Sequence, residues 1–448
     1  MVVIDLFSGA GGLTEGFMRQ GFEIVAHVEK DKWACETLKT RIIYHFLKSK
    51  NDLEIYFDYF KRVNGYRNIE ESRQTIYRKY PEIKEKLQYE VLNKAFGNPL
   101  EEKNVTGIDE IIELLEDSLK YKNYSSTDLI IGGPPCQAYS LVGRGRMKDK
   151  AETDKRNYLF RYYKEIVKHF KPRMFIFENV PGILNAKKGE VFKSIVDEFK
   201  EIGYILLAGT NDDPKECILH ASDFGVHQSR KRMILFGFRD DLNYQYPDFK
   251  KYAYSFENMT TKNAIGDLPK LKSGQGSDFD TLNYVSNEGE SLSAFQRLMR
   301  ADSIGVINHK SRSNQERDLR IYKKAIEFAE SGKRLMYTDI PEEDRTHKNE
   351  KAFLDRFKVH MKNEIPHTIV AHISKDGHYN IHPDINQCRS LTVREAARIQ
   401  SFPDNYIFEG PRTAQFTQVG NAVPPLMAEA IAKAIKEYLN KEISPLYR

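Results

Sequence analysis

The chain reads as an α/β protein built on a doubly wound, mainly parallel sheet, with a smaller lobe inserted late in the sequence. Three observations predict this. Apolar runs of strand length alternate with amphipathic helical stretches, the pattern of successive βαβ units. The first strand passes directly into a glycine turn and then a helix. The length of 448 residues exceeds what one core organises, since single cores stop growing near roughly 250–300 residues.

The first strand is the buried-type run Val2-Val-Ile-Asp-Leu-Phe7, followed by Ser8-Gly-Ala-Gly-Gly12 and a helix over 13–18. A second strand is expected over 24–29. Residues 41–99 are charged and aromatic, with Ile42, Phe46, Ile55 and Tyr59 at helical spacing, and they separate strands that far fewer residues could join. They are read as a helical insertion at about 41–100. Strands over 128–131, 173–178, 204–208 and 233–238 alternate with helices over 158–170 and 191–202, and close a catalytic domain at 1–240. Residues 241–386 lack clean periodicity, carry Gly and Ser between 272 and 277, and hold one basic and acidic helical piece near 314–331. They are read as a separate lobe. Order returns with a helix near 391–399. A last helix over 424–436 has Met427, Ile431 and Ile435 on one face and is expected to return, within a segment 387–448, to the first domain.

Composition narrows the function. No stretch of about 18 apolar residues is present, and the N-terminus lacks the basic and apolar regions of a signal peptide, so the expected location is the cytoplasm, with no membrane contact. Four cysteines, at 35, 136, 217 and 388, form no Cys-x-x-Cys pair, and no histidine pair stands at ligand spacing, so no metal is expected. A net charge of +5 is compatible with a polyanionic partner but too small to demonstrate one.

Several residues then stand out chemically. Cys136 follows an apolar strand and a Gly-Gly-Pro-Pro turn, the place where an α/β enzyme presents a nucleophile at the tip of its sheet. Glu29 ends the second strand, where a carboxylate can accept hydrogen bonds from both ribose hydroxyls of a nucleoside. The glycine turn is not the Gly-x-Gly-x-x-Gly dinucleotide fingerprint, because Thr14 holds the third glycine position, which weakens a nicotinamide reading. Arg230 and Arg232 alternate around Lys231, so on an extended segment both arginines face one side.

Taken together, DLFSGAGG at 5–12, GGPPCQAYS at 132–140, ENV at 178–180, QSRKR at 228–232, RSLTVREAARIQSFPD at 389–404 and QVGNAVPP at 418–425 come in an order and spacing that resembles the DNA cytosine-5 methyltransferases of prokaryotic restriction-modification systems. The matching blocks cover roughly three fifths of the chain. The resemblance implies a Rossmann-like methyltransferase domain, S-adenosylmethionine as methyl donor, and double-stranded DNA as substrate. It implies that the Cys136 thiolate adds to ring carbon 6 of cytosine, with Glu178 at the ring nitrogen 3 edge, Arg232 at the carbonyl oxygen and Arg230 supporting the site or a phosphate. It also implies a donor site lined by Phe7, Gly9, Gly11, Gly12, Glu29, Asn104, Leu159, Asn421 and Val423. Two departures stand out. Lys30 occupies a position where the family has an aromatic residue, with Trp33 nearby, and Asn104 stands where an acid meets the adenine amine.

A cytosine inside duplex DNA must rotate out before a nucleophile can reach it, and residues 141–156, with Gly143, Gly145, Arg144, Arg146, Lys148 and Lys150, have the charge to close over phosphates. Gln137, Ser140, Arg144 and Arg146 are therefore expected at the DNA. Within the lobe, His309, Arg312 and Arg317 are expected to read base edges. The chain is expected to act as a monomer, with a restriction endonuclease of the same target as its counterpart. Two rival readings share the motifs: a tRNA cytosine-5 methyltransferase, and a catalytically dead homologue that only binds nucleic acid.

Overall fold

A computed structural model describes residues 1–61, 69–135, 159–210, 213–278, 280–285, 291–345 and 354–441. Strand β1 (Val2–Leu6) is buried along its whole length and leads through a glycine turn into α1 (Gly12–Arg19). Next come β2 (Glu23–Glu29), four helices, α2 (Lys32–Ser49), α3 (Leu53–Lys61), α4 (Ile69–Lys79) and α5 (Pro81–Glu90), and the short strand β3 (Val91–Asn93). Helix α6 (Ile108–Tyr121), strand β4 (Leu129–Gly132), helix α7 (Leu159–Phe170), strand β5 (Met174–Asn179) and helix α8 (Glu190–Lys200) continue the alternation. The sheet is completed by β6 (Tyr204–Leu207), β7 (Ile218–His220) and β8 (Lys231–Arg239).

The strand order is β3-β2-β1-β4-β5-β8-β6, with β7 also paired to β8. The first five strands are parallel, and β8 runs antiparallel to β5, β6 and β7. The chain winds outward from β1 to β3, then crosses back to β4. The direction of winding thus reverses between β1 and β4, and doubly wound sheets bind their ligands outside the carboxyl ends of the strands at such a point. The expected doubly wound, mainly parallel architecture is borne out.

Beyond the sheet lie α9 (Thr261–Ile265), α10 (Ala294–Arg300), α11 (Glu316–Glu330), α12 (Val393–Ile399), α13 (Arg412–Asn421) and α14 (Pro425–Lys441). Helix α14 lies on α1 with backbones so close that a Cβ on Gly16 would come within 2.3 Å of the Ala428 carbonyl carbon. Lys436 Nζ donates to Gln20 O, and Glu429 pairs with Arg19.

Two expectations about boundaries are corrected. The stretch 41–100 is not wholly an insertion, because Val91–Asn93 pairs with His27–Glu29 as an edge strand of the sheet; three residues are too few to show a period. Nor does 241–386 form one core of its own. Tyr246, Phe249, Ala264, Ile265, Leu268, Phe295 and Met299 join the main core, whereas a separate apolar cluster gathers Ile321, Tyr322, Ile326, Tyr337, Phe357 and Ile381. Buried arginines of the 389–404 block bind these parts together. Arg398 pairs with Asp404 and Asp267, and Arg394 donates to the carbonyls of Ile307, Pro403 and Tyr406. Among the described residues no helix is long and apolar enough to cross a membrane.

Candidate active site

The turn after β1 is shaped for close approach to a ligand. Phe7 (φ 56°), Gly9 (φ 55°) and Gly11 (φ 81°) adopt left-handed conformations, which glycine tolerates without strain. Asp5 holds the turn from within, accepting the Thr14 hydroxyl and standing 3.3 Å from His27 Nδ1. Gly12 is fixed by proximity, since a Cβ there would stand 2.2 Å from Val423 O. Gly9 differs, because a Cβ on it would meet nothing within 4 Å. Its outer side therefore opens onto unfilled space.

Glu29 faces the same turn from the end of β2. Its Oε2 accepts the Gly9 N–H and its Oε1 the Asp31 N–H, both at 2.8 Å. Burial raises its pKa, while those two hydrogen bonds pull it back. Asn93 lies level with Glu29 at the end of β3 and donates to the carbonyls of Glu29 and Lys30. Phe96 packs against Phe7 with tilted rings, their centroids 4.9 Å apart, and meets Tyr162 at 5.7 Å. Neither Asn93 nor Phe96 was singled out by the sequence, since both belong to a stretch with no clear pattern. Asn104, expected to meet the adenine amine, is an exposed residue at φ 58° that follows β3 by eleven positions.

The second half of the site forms where β4 and β5 end side by side. A Cβ on Gly133 would lie 2.5 Å from Glu178 Oε2, so a side chain there would displace the carboxylate from its present place. One residue on, Asn179 Nδ2 donates to Pro134 O at 2.8 Å and fixes the Gly-Pro-Pro turn up to the residue before Cys136. Glu178 Oε1 is 2.7 Å from Arg232 Nε. Burial raises the Glu178 pKa, against the pull of Arg232 and then Arg230. A carboxyl group beneath a turn, poised to hold a proton and oriented by a guanidinium, suits general acid chemistry.

Arg230 has a different place. It is wholly buried and donates to three backbone carbonyls, Ile369 O at 2.7 Å, Gly420 O at 3.1 Å and Ala422 O at 2.8 Å. Burial lowers its pKa, followed by the repulsion of Arg232. The phosphate contact expected as one option is therefore excluded by enclosure, and the supporting one remains. Beside it the segment 366–369 lies along 228–230: Pro366 O accepts from Ser229 N–H, the Thr368 hydroxyl donates to Ser229 O, and Ile369 N–H donates to Gln228 Oε1. Gln228 also reaches Gln400, which bonds Val419 O.

Other expected residues are scattered. Leu159 opens α7 half-buried against the main core. Asn421 ends α13 exposed, and Val423 is buried against Gly12. Cys136, Gln137, Ser140, Arg144 and Arg146, with the whole of 141–156, lie outside the described residues. His309 is fully buried, with its ring nitrogens 2.8 Å from Thr392 Oγ1 and from Pro269 O. Arg312 is buried over the Phe416 ring and donates to Lys375 O and Ile373 O. Both are corrected from base-reading candidates to internal ties, because neither presents a polar edge to a duplex. Arg317 is half-buried beside Asp318. Among the described residues no cluster of His, Cys, Asp or Glu is arranged to hold a metal.

Comparison with known proteins places the chain in a family. The C-5 cytosine-specific DNA methylase family matches the chain over residues 1–60 and 80–437. The type II methyltransferase M.Bpa9945I of Bacillus paralicheniformis is 59% identical over 442 residues, covering 98% of this chain and 99% of the relative. The type II methyltransferase M.DdeI of Desulfomicrobium norvegicum is 32% identical over 457 residues, covering 98% and 89%. Among solved structures, a prophage-encoded DNA modification methyltransferase of E. coli aligns with a TM-score of 0.61 at 21% identity, covering 98% of this chain and 99% of that one. That last likeness shows the fold.

The two sides of the chain where it enters β8 should differ in their contribution to stability. Arg230→Ala leaves buried carbonyls without donors and should cost about 3 kcal/mol or more, since each such group carries roughly 1–3 kcal/mol. Lys231→Ala, at an exposed position, should stay within about 0.5 kcal/mol. Urea denaturation of both variants checks this, and equal losses would contradict the arrangement.

Proposed function

The chain belongs to the family of C-5 cytosine-specific DNA methylases, and on that premise we propose that it methylates a cytosine within one short duplex sequence, by way of a covalent adduct to Cys136. The observation that carries the reading is the joint end of β4 and β5, where Glu178 lies under Gly133 and Asn179 holds Pro134.

Cytosine is a poor nucleophile at carbon 5. In the proposed sequence the Cys136 thiolate forms a bond to carbon 6, and the electron pair of the 5,6 double bond moves so that carbon 5 becomes nucleophilic. Glu178, whose acid form burial favours, places a proton at nitrogen 3 as charge develops there. Arg232 orients that carboxyl group and can meet the carbonyl oxygen of the base. After transfer, a water molecule takes the carbon 5 proton, the electron pair left behind re-forms the 5,6 double bond, the sulfur departs from carbon 6 as the Cys136 thiolate, and nitrogen 3 returns its proton to Glu178. The target base reaches this pocket by rotating out of the duplex.

The methyl donor implied by the family is S-adenosylmethionine, which supplies an electrophilic methyl group on sulfur. The residues present fit it. Gly9 opens onto unfilled space, Glu29 offers carboxylate oxygens to ribose hydroxyls, and Phe7, Gly11, Gly12 and Val423 shape the adjoining wall. The type II relatives support a role in restriction-modification in the bacterial cytoplasm, with an endonuclease of the same target as counterpart. The cluster around α11 and Phe357 is the proposed carrier of base recognition.

Bisulfite sequencing of DNA from cells expressing the chain tests the reading. It should show 5-methylcytosine at one recurrent short sequence; unmodified DNA, or modification confined to tRNA, would contradict it. A second expectation concerns pH. Glu29 must be ionised to accept from the ribose, and its raised pKa means that the carboxylate is lost at a higher pH than an ordinary glutamate would be. The dissociation constant for S-adenosylmethionine should therefore rise as pH falls below neutrality, with its limb at a higher pH than an ordinary glutamate would give, while Glu29→Gln binds weakly with no such limb. Calorimetric titration across pH measures both.

A further inference from the structure

The connection between β5 and α8 carries a feature that the catalytic and donor-binding residues do not use. Ile183 and Ala186 are buried there and anchor the loop. Then Lys187 (φ 46°, ψ 46°), Lys188 (φ 58°, ψ 29°) and Gly189 (φ 95°, ψ −8°) form a left-handed run just before α8. L side chains rarely adopt this conformation even singly, and glycine at 187 and 188 would suit the backbone better. The turn itself therefore gives no reason for lysine at either position. Both side chains are exposed.

The location supplies a reason. Strands β5 and β6 both run antiparallel to β8, so the loop leaving β5 lies on the carboxyl edge of the sheet and α8 carries the chain back to the other edge. That carboxyl edge holds the glycine turn, Glu29, Gly133 and Glu178. Strained backbone is held where the surrounding structure over-determines it, and such places cluster at sites of contact with ligands. Here the buried Ile183 and Ala186 supply the anchorage, and the strained residues present two positive charges.

We propose that Lys187 and Lys188 bind phosphates of the DNA backbone beside the target cytosine. The proposal rests on DNA as the substrate. Each lysine would neutralise one phosphate and release the counterions condensed there, a contribution that positions the duplex without reading its sequence. Lys171 provides an internal control. It too is an exposed lysine at positive φ (46°), but it stands between α7 and the start of β5, on the opposite edge of the sheet.

The test is a salt titration of duplex binding by fluorescence anisotropy, with the full chain, a duplex bearing the methylated sequence and one of random sequence. For the Lys187→Gly, Lys188→Gly double variant, the plot of log affinity against log salt should be shallower than wild type by about 0.9 for each phosphate that a lysine no longer neutralises. Affinity at low salt should fall roughly tenfold or more on both duplexes, with S-adenosylmethionine affinity unchanged. The Lys187→Gln, Lys188→Gln pair, which does not add chain flexibility, should show the same change in slope, and Lys171→Gly none. A wild-type slope in both double variants, or an equal change in Lys171→Gly, would overturn the proposal. Methylation of the same duplex by the wild type, measured alongside, reports separately on the DNA substrate itself.

Discussion

The last two residues of β5 set the geometry on which the rest of the site depends. Glu178 is desolvated beneath Gly133, and Asn179 holds the carbonyl of Pro134, so one strand end fixes both a carboxyl group and the turn that carries the chain to Cys136. The parallel pairing of β4 with β5 places Gly132 beside Phe177, and that register sets Gly133 directly against the Glu178 carboxylate. Arg232 completes the arrangement from the antiparallel β8, which pairs Glu178 with Ile234. A carboxyl group held this way is oriented before any ligand arrives.

Around this centre, long-range ties converge on backbone carbonyls. Arg230 reaches two parts of the chain remote from it in sequence, at 369 and at 420–422, and Gln228 extends the same junction to 400. Because Ala422 and Val423 lie directly against Gly12, the glycine turn after β1, the start of β8 and the segment 366–369 share one set of supports. Breaking a buried ion pair typically costs about 3–5 kcal/mol, a large part of a domain's net stability. The buried pairs of Arg398 with Asp267 and Asp404 and of Arg389 with Glu395 therefore bind the late sequence block to the rest of the fold, and that accounts for its density of arginines more fully than any contact with substrate.

The fold class was legible because strands β1, β2, β4, β5, β6 and β8 are apolar runs long enough to show themselves, and a glycine turn follows the first. Strands β3 and β7, of three residues each, leave no such trace. Glu29 and the glycine turn could be paired by reasoning from strand ends, but the contact between Glu178 and Arg232 spans a long loop and two strands, and only the resemblance of the motif blocks linked them. His309 and Arg312 went astray for a physical reason. Polarity in an aperiodic stretch does not distinguish a side chain facing DNA from one bonded to internal carbonyls, and the carbonyl partners are invisible in a sequence. Asn93 and Phe96 were missed because a strand too short to recognise places them.

The central claim is that Cys136, which follows the turn after β4 in the sequence, attacks the cytosine ring. Substituting 5-fluorocytosine for the target cytosine in a duplex removes the proton whose loss releases the enzyme, so with S-adenosylmethionine present the wild-type chain should remain bound to the DNA through denaturing electrophoresis. Mass spectrometry should locate the methylated base on the peptide containing Cys136, and Cys136→Ala should give no adduct while still binding the duplex. An adduct on another residue, or an undiminished adduct in the Cys136→Ala variant, would contradict the account.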